Sequence, residues 1–371
     1  IGYGEVKKAD LTGSVTSVKM SDVAESATLS VGQALQGRVA GVDVMSTTGE
    51  PGAGTSVRIR GTRSINASNE PLIIVDGVMD LVSNLAELNP DDIESISLLK
   101  DASSTAIYGS RGANGVIIIT TKSGKKGAAK VAVDASLTMG QQPRTETLEL
   151  ASGDLLIEVF NEGIDNYNRQ NGFVQTSTGY VQHIRNPYDG LPDTDWLSVA
   201  TRLGLSHSTD VSFTGGTNKT KIYVGGNFAY QEGVIKTNDI TKINLKANLS
   251  HKMNSWLEIG ANMSGNFIKN NRVPGAGIGS TIVARMVEQR PFDRPYKPSG
   301  DYYLGGTDEL SRHNPVQILN EEISYIENLR FIGSYYATLK FFEDKLTFKN
   351  SVNTDILALY DYTNYFATHP Y

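Results

Sequence analysis

The residues that most often do chemistry in proteins are present in this chain, but their spacing forms no catalytic or metal-binding motif. The five histidines are scattered and do not form the His-Glu-x-x-His pattern of a zinc site. The glycines of Pro51–Gly54 lack the strand-to-helix setting of a nucleotide-binding loop. For the acidic run Pro192–Asp195, a solvated turn is a simpler interpretation than a calcium site. We therefore expect no enzymatic activity, no metal and no cofactor, although carboxylates paired across a cleft, as in a glycan hydrolase, would leave no local motif.

The composition is that of a folded protein. Of 371 residues, 39% are hydrophobic and 20% are charged. No segment approaches the ~20 continuous apolar residues of a membrane helix, a test that the strands of a β-barrel escape. The net charge of -6 disfavours nucleic acid as a partner, and the absence of cysteine excludes disulfides. The chain begins at Ile1 without a signal peptide and breaks off after an apparent strand, so we expect a fragment of a longer protein.

Residues 1–125 have the pattern of a compact α+β domain. Ser30–Gln33 reads as a capping box that starts a helix, with Gly41 as the residue that ends it. Asp101 is predicted to cap a second helix, Ala102–Tyr108. Short apolar runs separated by glycine, proline and asparagine turns predict five strands. These are Val42–Met45, Ser56–Arg60, Leu72–Val75, Ser95–Leu99 and Val116–Thr121.

After a linker at Ser123–Gly127 the hydrophobic period changes to two, which predicts antiparallel strands over residues 126–371. Seven candidates follow, at 130–140, 209–215, 220–231, 243–250, 256–268, 331–341 and 346–354. Short turns alternate with long loops at 141–205 and 269–328, which is typical of an outer-membrane barrel with long extracellular loops. A soluble β-sandwich alternates as well, so the period alone leaves both folds open. Seven strands cannot enclose a domain, since a plugged barrel has about 22.

Several segments resemble, in order and spacing, the plug domain of TonB-dependent outer-membrane transporters of the SusC/RagA type. The longest runs from Ile93 to Lys122 and includes Ser95-Ile96-Ser97-Leu98-Leu99-Lys100-Asp101-Ala102 and Gly112-Ala113-Asn114-Gly115-Val116. The others are Gly2-Tyr3-Gly4 with Leu11–Val15, Ala34–Val42, Pro51-Gly52 with Val57–Gly61, and Pro71–Val78. The resemblance is dense over residues 1–125 and diffuse beyond them.

The resemblance implies a 22-stranded barrel with an internal plug, of which this chain would hold the plug (1–125) and the first barrel strands (126–371). It implies active import across the outer membrane of Bacteroidota, driven by TonB, with a SusD-like surface lipoprotein as partner and outer-membrane lipid around the barrel. The substrate would be an oligosaccharide or, in some systems, a peptide. The TonB box would lie just before Ile1.

The resemblance also suggests site residues. Arg60 of the Ile-Arg-Gly motif, and Lys100 at the position of a second clamp residue, would hold the plug to acidic residues of the barrel wall. Lys100 would do so only as a point charge, because it lacks the guanidinium fork of arginine. Two plug loops would face substrate and could hydrogen-bond sugar hydroxyls. Their candidate residues are Arg63, Ser64, Asn66, Asn69, Asp80, Ser83 and Asn84.

Two interpretations therefore compete. In the first, the chain is part of a transporter, and the apolar face of each strand after residue 130 points outward. In the second, it is a soluble β-rich glycan-binding or adhesion module with polar outer faces. Loop aromatics such as Trp196 and Tyr302 could stack on sugars or simply pack within the loops.

Overall fold

Two sheets organise the chain in a computed structural model that describes residues 15–20, 30–46, 48–66, 68–79, 85–141, 150–185, 193–273, 282–303, 314–342 and 345–366. The first belongs to an N-terminal domain and is mixed, with five strands. The second has seven antiparallel strands and follows it in the chain.

The N-terminal domain combines short strands with short helices. Its five-stranded sheet has the order β1-β6-β7-β4-β5, in which β4 and β7 are parallel, and a separate hairpin pairs β2 with β3. The strands are β1 (Val15–Lys19), β2 (Val42–Ser46), β3 (Thr55–Ile59), β4 (Leu72–Val75), β5 (Val78–Met79), β6 (Ile93–Leu99) and β7 (Val116–Thr121). The five predicted strands are confirmed within one or two residues, whereas β1 and β5 were not predicted.

The core of this domain is the apolar face of β6 and β7 together with one helix. Ile96, Leu98, Ile117 and Ile119 have no exposed surface, and helix α1 (Val31–Leu35) contributes the buried Val31, Ala34 and Leu35. Burying a side chain of this size stabilises a fold by about 1.5–3 kcal/mol. The face of β6 that carries Ile96 and Leu98 therefore packs into the core.

The two predicted helix caps differ from the structure. Ser30 precedes α1, but its hydroxyl makes no capping hydrogen bond, and the helix ends near Gly37 (φ 71) rather than at Gly41. Helix α2 (Ala102–Thr105) is only one turn long, and the 3-10 turn that follows it is broken at Gly109, whose φ of 61 and ψ of -145 are not helical. The Asp101 side chain does not cap α2. It is paired elsewhere, as described below.

The seven-stranded sheet is a continuous antiparallel meander in the order β14-β13-β12-β11-β10-β9-β8. Its strands are β8 (Gly127–Gly140), β9 (Gly204–Gly216), β10 (Thr220–Glu232), β11 (Asp239–Lys252), β12 (Leu257–Asn271), β13 (Glu322–Phe341) and β14 (Leu346–Tyr365). All seven predicted strands are confirmed. Most are longer than predicted, because their ends carry polar residues that interrupt the apolar alternation.

The two faces of this sheet differ in chemistry and in what covers them. Apolar side chains point away from the N-terminal domain and are exposed, as Phe228 and Leu245 illustrate. Polar side chains point toward that domain and are buried, among them Asn227, Lys242, Asn244, Lys246, Asn248, Arg330 and Ser334. A soluble sandwich would bury the apolar face instead. The observed arrangement is that of a barrel wall around a polar interior.

The long connections carry helices that the sequence pattern did not predict. They join β8 to β9 and β12 to β13 at one end of the strands, and the short connections at 217–219 and 253–256 lie at the opposite end. The helices are α3 (Gly153–Gln170), α4 (Trp196–Ala200), α5 (Ile282–Glu288) and α6 (Pro315–Glu321). No helix in the described part of the chain is long and apolar enough to cross a membrane.

The two long connections pack against each other. Trp196, Ile282, Met286 and Ile318 form a buried cluster, and the Trp196 indole donates a hydrogen bond to the carbonyl oxygen of Arg290 at 3.0 Å. Of the two alternatives for Trp196, packing within the loops is therefore the one observed.

Candidate functional site between the N-terminal domain and the sheet

The loop Arg63–Asn69, predicted to face substrate, is closed by hydrogen bonds of its own. Asn69 Oδ1 accepts from the backbone N–H groups of Arg63 at 2.8 Å and Ser64 at 2.9 Å. Asn69 Nδ2 donates to the carbonyl oxygen of Ser64 at 2.8 Å. Asn69 therefore shapes the loop, and Asn66 is exposed at its tip. Contact of these residues with substrate stays a prediction.

Four of the residues predicted to face substrate are still to be placed: Arg63, Asp80, Ser83 and Asn84. The Arg63 guanidinium leaves its loop and donates to the carbonyl oxygen of Ala113. The other predicted residues, Asp80, Ser83 and Asn84, lie outside the described residues.

The two predicted clamp residues are paired inside the N-terminal domain. Arg60 Nη2 lies 2.5 Å from Asp101 Oδ1, and the buried Lys100 Nζ donates to the carbonyl oxygen of Ala40 at 2.5 Å. Burial, and then the nearby Arg60 charge, lower the pKa of Lys100. In this chain both bases tie the domain to itself, and a clamp to the barrel wall stays a prediction.

An ion triad that the sequence did not suggest joins the domain to the sheet. Arg330 on β13 holds the carboxylate of Asp355 on β14 in a fork, with Nε–Oδ1 at 2.9 Å and Nη2–Oδ2 at 2.7 Å. Its Nη1 also donates to Glu87 Oε2 of the N-terminal domain at 2.6 Å. The Arg330 and Glu87 side chains are 11% and 16% exposed, so solvent screens their pairing little, whereas Asp355 is 40% exposed. In the contact between the two parts, the base Arg330 belongs to the sheet and the acid Glu87 belongs to the N-terminal domain. This is the reverse of the predicted clamp, in which the bases belong to the plug.

A second set of contacts lies where the domain joins the sheet. Asp76, in a left-handed turn after β4 (φ 49), accepts from the Thr121 N–H at 2.9 Å and the Thr121 hydroxyl at 2.6 Å. Lys246 Nζ on β11 lies 3.5 Å from the Asp76 carboxylate. Asn248 Nδ2, on the same face of β11, donates to Thr121 Oγ1 at 3.0 Å and to the Lys122 carbonyl oxygen at 2.6 Å. The end of β7 is therefore fixed to β11.

A third set is acidic and involves the short 3-10 turn before β6. The Tyr223 hydroxyl on β10 donates to Asp92 Oδ1 at 2.9 Å, and Asn89 Nδ2 donates to Asp210 Oδ1 on β9 at 2.9 Å. Asp91 also lies against Asp210. The side chain of Asp91 keeps exposed surface, but loss of surrounding water where the domain meets the sheet, and then the charge of Asp210, raise its pKa to about 6.

A small cavity, lined by both apolar and polar side chains, separates the domain from the sheet between these contacts. Its volume is about 40 Å³, enough for a few water molecules at ~10–15 Å³ each. Asp76, Glu87 and Asn89 line it from the domain, and Lys246, Asn262 and Ser264 line it from the sheet.

The arrangement as a whole is a non-covalent dock between two parts of one chain. Sequence reasoning missed its main residues because the partners are remote: Lys246 and Asp76 are 170 positions apart, and Arg330 and Glu87 are 243 apart. The available signal was the presence of Lys246, Asn248 and Arg330 on the polar faces of their strands. That signal predicts where a side chain points but not which group it meets.

Comparisons with known proteins agree with this architecture. The family model described as the TonB-dependent Receptor Plug Domain matches residues 7–116. TonB-dependent receptor P26 of Formosa agariphila is 36% identical over 91% of this chain and 32% of its own length. TonB-dependent receptor SusC of Bacteroides thetaiotaomicron is 34% identical over 85% of this chain and 31% of its own length. The chain thus spans about a third of the length of these curated relatives.

Solved structures are similar to this chain in the three-dimensional arrangement of its domain and sheet. The RagAB peptide importer in its open-open state is similar over 100% of this chain and 43% of that chain, with a TM-score of 0.81 and 28% identity. The ferric-catecholate import receptor Fiu from E. coli K12, at 12% identity and a TM-score of 0.52, shares the fold alone. The N-terminal domain is therefore the plug of a TonB-dependent receptor, and the seven-stranded sheet is part of its barrel wall. With SusC and RagAB as relatives, the chain belongs to the SusC/RagA type, as its motifs indicated.

Proposed function

We propose that this chain is the plug (1–125) and the first barrel strands (126–371) of an outer-membrane transporter that imports an oligosaccharide. TonB would drive the import, and a SusD-like lipoprotein would deliver the substrate. The observation that carries the proposal is the orientation of the sheet, whose polar face is docked on the plug while its apolar face is exposed. That orientation suits a wall with lipid on one side and a plugged interior on the other.

The tight contact between plug and wall supports active import. Ion pairs and hydrogen bonds from the plug meet β9, β10, β11 and β13, and the cavity left between them holds only a few waters. An oligosaccharide is far larger than this space. Passage along this part of the wall therefore needs the plug to move, which is the step that TonB would supply. We propose that the role of this chain is transport and not catalysis.

A peptide substrate is the second candidate. It is favoured by the likeness to RagAB, which is described as a peptide importer. The Asn, Asp and Ser side chains of the predicted plug loops could bind the polar groups of either ligand, so the substrate class has to be measured.

The first test is the intact mass of the native protein, and the identity of the proteins that copurify with it, after purification from detergent-extracted outer membranes. We expect a species well above the 40.2 kDa of this chain, with a lipoprotein associated. A soluble species of 40.2 kDa would instead favour the β-rich glycan-binding or adhesion module.

The second test is uptake of labelled oligosaccharides and oligopeptides of matched size by cells that carry the transporter. Import of the sugar that stops when TonB is deleted is the expected result. TonB-dependent import of the peptide alone would reassign the substrate class and keep the transport mechanism.

A further inference from the structure

The contacts between plug and wall fall into two groups that differ in how they are fixed. One group surrounds Thr121 and Lys122, only a few residues before β8 begins at Gly127. Here the covalent chain adds to the hydrogen bonds from Asn248. We call this group, with Asp76 and Lys246, the tether. Because the backbone itself runs from plug to wall at this point, the tether cannot move far from the sheet.

The other group is carried by the plug segment Leu85–Asp92, which we call the latch. This segment contacts four strands of the wall, β9, β10, β11 and β13. Besides the contacts of Asn89, Asp92 and Glu87 described above, the buried Lys242 on β11 donates to the carbonyl oxygen of Ala86 at 3.1 Å. The latch directly follows residues 80–84, part of the predicted substrate face.

Arg330 holds the two carboxylates of the ion triad unequally, and this favours release of Glu87. Arg330 is bound to Asp355 by two parallel hydrogen bonds and to Glu87 by one. If Glu87 leaves, Arg330 keeps its fork partner, so the wall is not left with an unpaired buried charge. Glu87 itself would move toward water, where a carboxylate is well solvated. The bond can thus break without leaving a buried ion on either side.

The cavity shows where a path would begin. It lies beside the latch, with Glu87, Leu88 and Asn89 on one side and the small polar residues Asn262 and Ser264 of β12 on the other. We propose that the Glu87–Arg330 pair is a releasable latch, and that import opens a passage along β12 by freeing Leu85–Asp92 while the tether stays in place. This inference rests on the proposed transport function.

The test is reversible cross-linking in the full-length transporter, in a cysteine-free background to which two cysteines are added. One variant carries Glu87→Cys and Arg330→Cys, which locks the latch when treated with a short reducible cross-linker. The matched control carries Thr121→Cys and Asn248→Cys, which locks the tether. Each variant is compared with itself before and after reduction, so that loss of the native side chains affects both measurements equally.

We expect cross-linking at the latch to lower TonB-dependent uptake at least ten-fold and reduction to restore it. Cross-linking at the tether should change uptake less than two-fold. Normal uptake through the cross-linked latch would overturn the proposal, and so would a block by both cross-links, which would mean that the whole plug moves. If even the reduced forms and the wild type show no TonB-dependent uptake of any nutrient, the proposed transport function fails first and the latch with it.

A second measurement separates a latch from a merely structural ion pair. Glu87→Gln should raise the leak of folded channels several-fold, measured as conductance in planar bilayers, because the plug then samples the released position more often. Glu87→Asp keeps the charge and should restore a tight channel. Equal leak in the two variants, normalised to folded protein, would contradict the proposal.

Discussion

The plug and the barrel portion use the same alternation of polar and apolar residues in opposite senses. In the plug, the apolar side chains of β6 and β7 meet each other in a closed core, and Ile96 and Ile117 have no exposed surface. In the sheet, the polar side chains are covered, and apolar ones such as Leu245, at 61% exposure, are left outside. A β-strand pattern therefore defines two faces, and the surroundings of the fold decide which face is buried.

This difference means that the two regions depend on different sources of stability. The plug core gains from removing apolar surface from water. The contact between plug and wall includes the buried Ile332 of β13, but most of the described contacts are ion pairs and hydrogen bonds. Each of these stabilises the contact only slightly, although removing one partner leaves the other unpaired and costs more. The plug can therefore remain folded while its docking to the wall changes. Three changes would break or sharpen this comparison.

The largest effect is expected in the plug core. Ile117→Ala should lower the free energy of unfolding of the plug by about 2–5 kcal/mol, because it removes buried methylene groups and leaves a cavity. The measurement is hydrogen exchange of the β7 amides in the full-length protein. Ile107→Ala, at a position 48% exposed in the same domain, is the matched control and should have a much smaller effect. Similar losses in the two variants would contradict the core assignment.

A slightly smaller effect is expected on the outer face of the sheet. Leu245→Arg should destabilise the barrel by about 2–4 kcal/mol if this face contacts the middle of the lipid layer. The measurement is the fraction of full-length protein that folds, seen as a heat-modifiable band after extraction from the outer membrane. Leu245→Phe should fold as the wild type does. If Leu245→Arg also folds normally, the exposed apolar face does not contact lipid.

The smallest effect concerns the acidic contact of the latch. The pKa of Asp91 is raised to about 6 in the folded protein from an ordinary value of 3.8. Between these pH values the folded state holds a proton that the unfolded state has lost, so Asp91 lowers the stability of the plug as pH rises through this window. In the wild type, the urea concentration at the midpoint of plug unfolding should fall between about pH 4 and pH 6. In Asp91→Asn this fall should be smaller, because the titrating carboxyl group is gone.

The control for this pH series is Asp43→Asn, at an exposed position of β2, which should keep the wild-type profile. If Asp91→Asn changes the midpoint equally at every pH, the effect of Asp91 does not come from its titration.

Much of the fold could be predicted from the sequence. The seven strands of the sheet and five of the plug strands were predicted because strong alternation, bounded by glycine and asparagine turns, leaves few other structures open. Helix α3 was missed because its segment contains several Asn, Asp and Gly residues, which resemble a loop in a single sequence. The helices α4, α5 and α6 have only five to seven residues, too few to show a helical period. Helix α3 is stabilised in part by a cap, in which the Ser152 hydroxyl accepts from the Leu155 N–H at 3.2 Å.

The site was harder to predict than the fold. Asp101 was expected to cap a helix, and it pairs with Arg60 instead, because an ion pair with a nearby guanidinium competes with a capping hydrogen bond for the same carboxylate. Asn69 was predicted to meet substrate, and its amide groups are used within its own loop. The triad around Arg330 could not be found from local motifs, since each of its partners belongs to a different element.

The sequence by itself determined most of the strands and the family, since both depend on short-range order: periodicity for the strands and motif order for the plug. The tertiary structure alone decided which face of each strand is covered and which charges are paired. The reason is physical. Alternation fixes the spacing of side chains along a strand, but a pair such as Glu87 and Arg330 forms only when the folded plug and the folded wall meet.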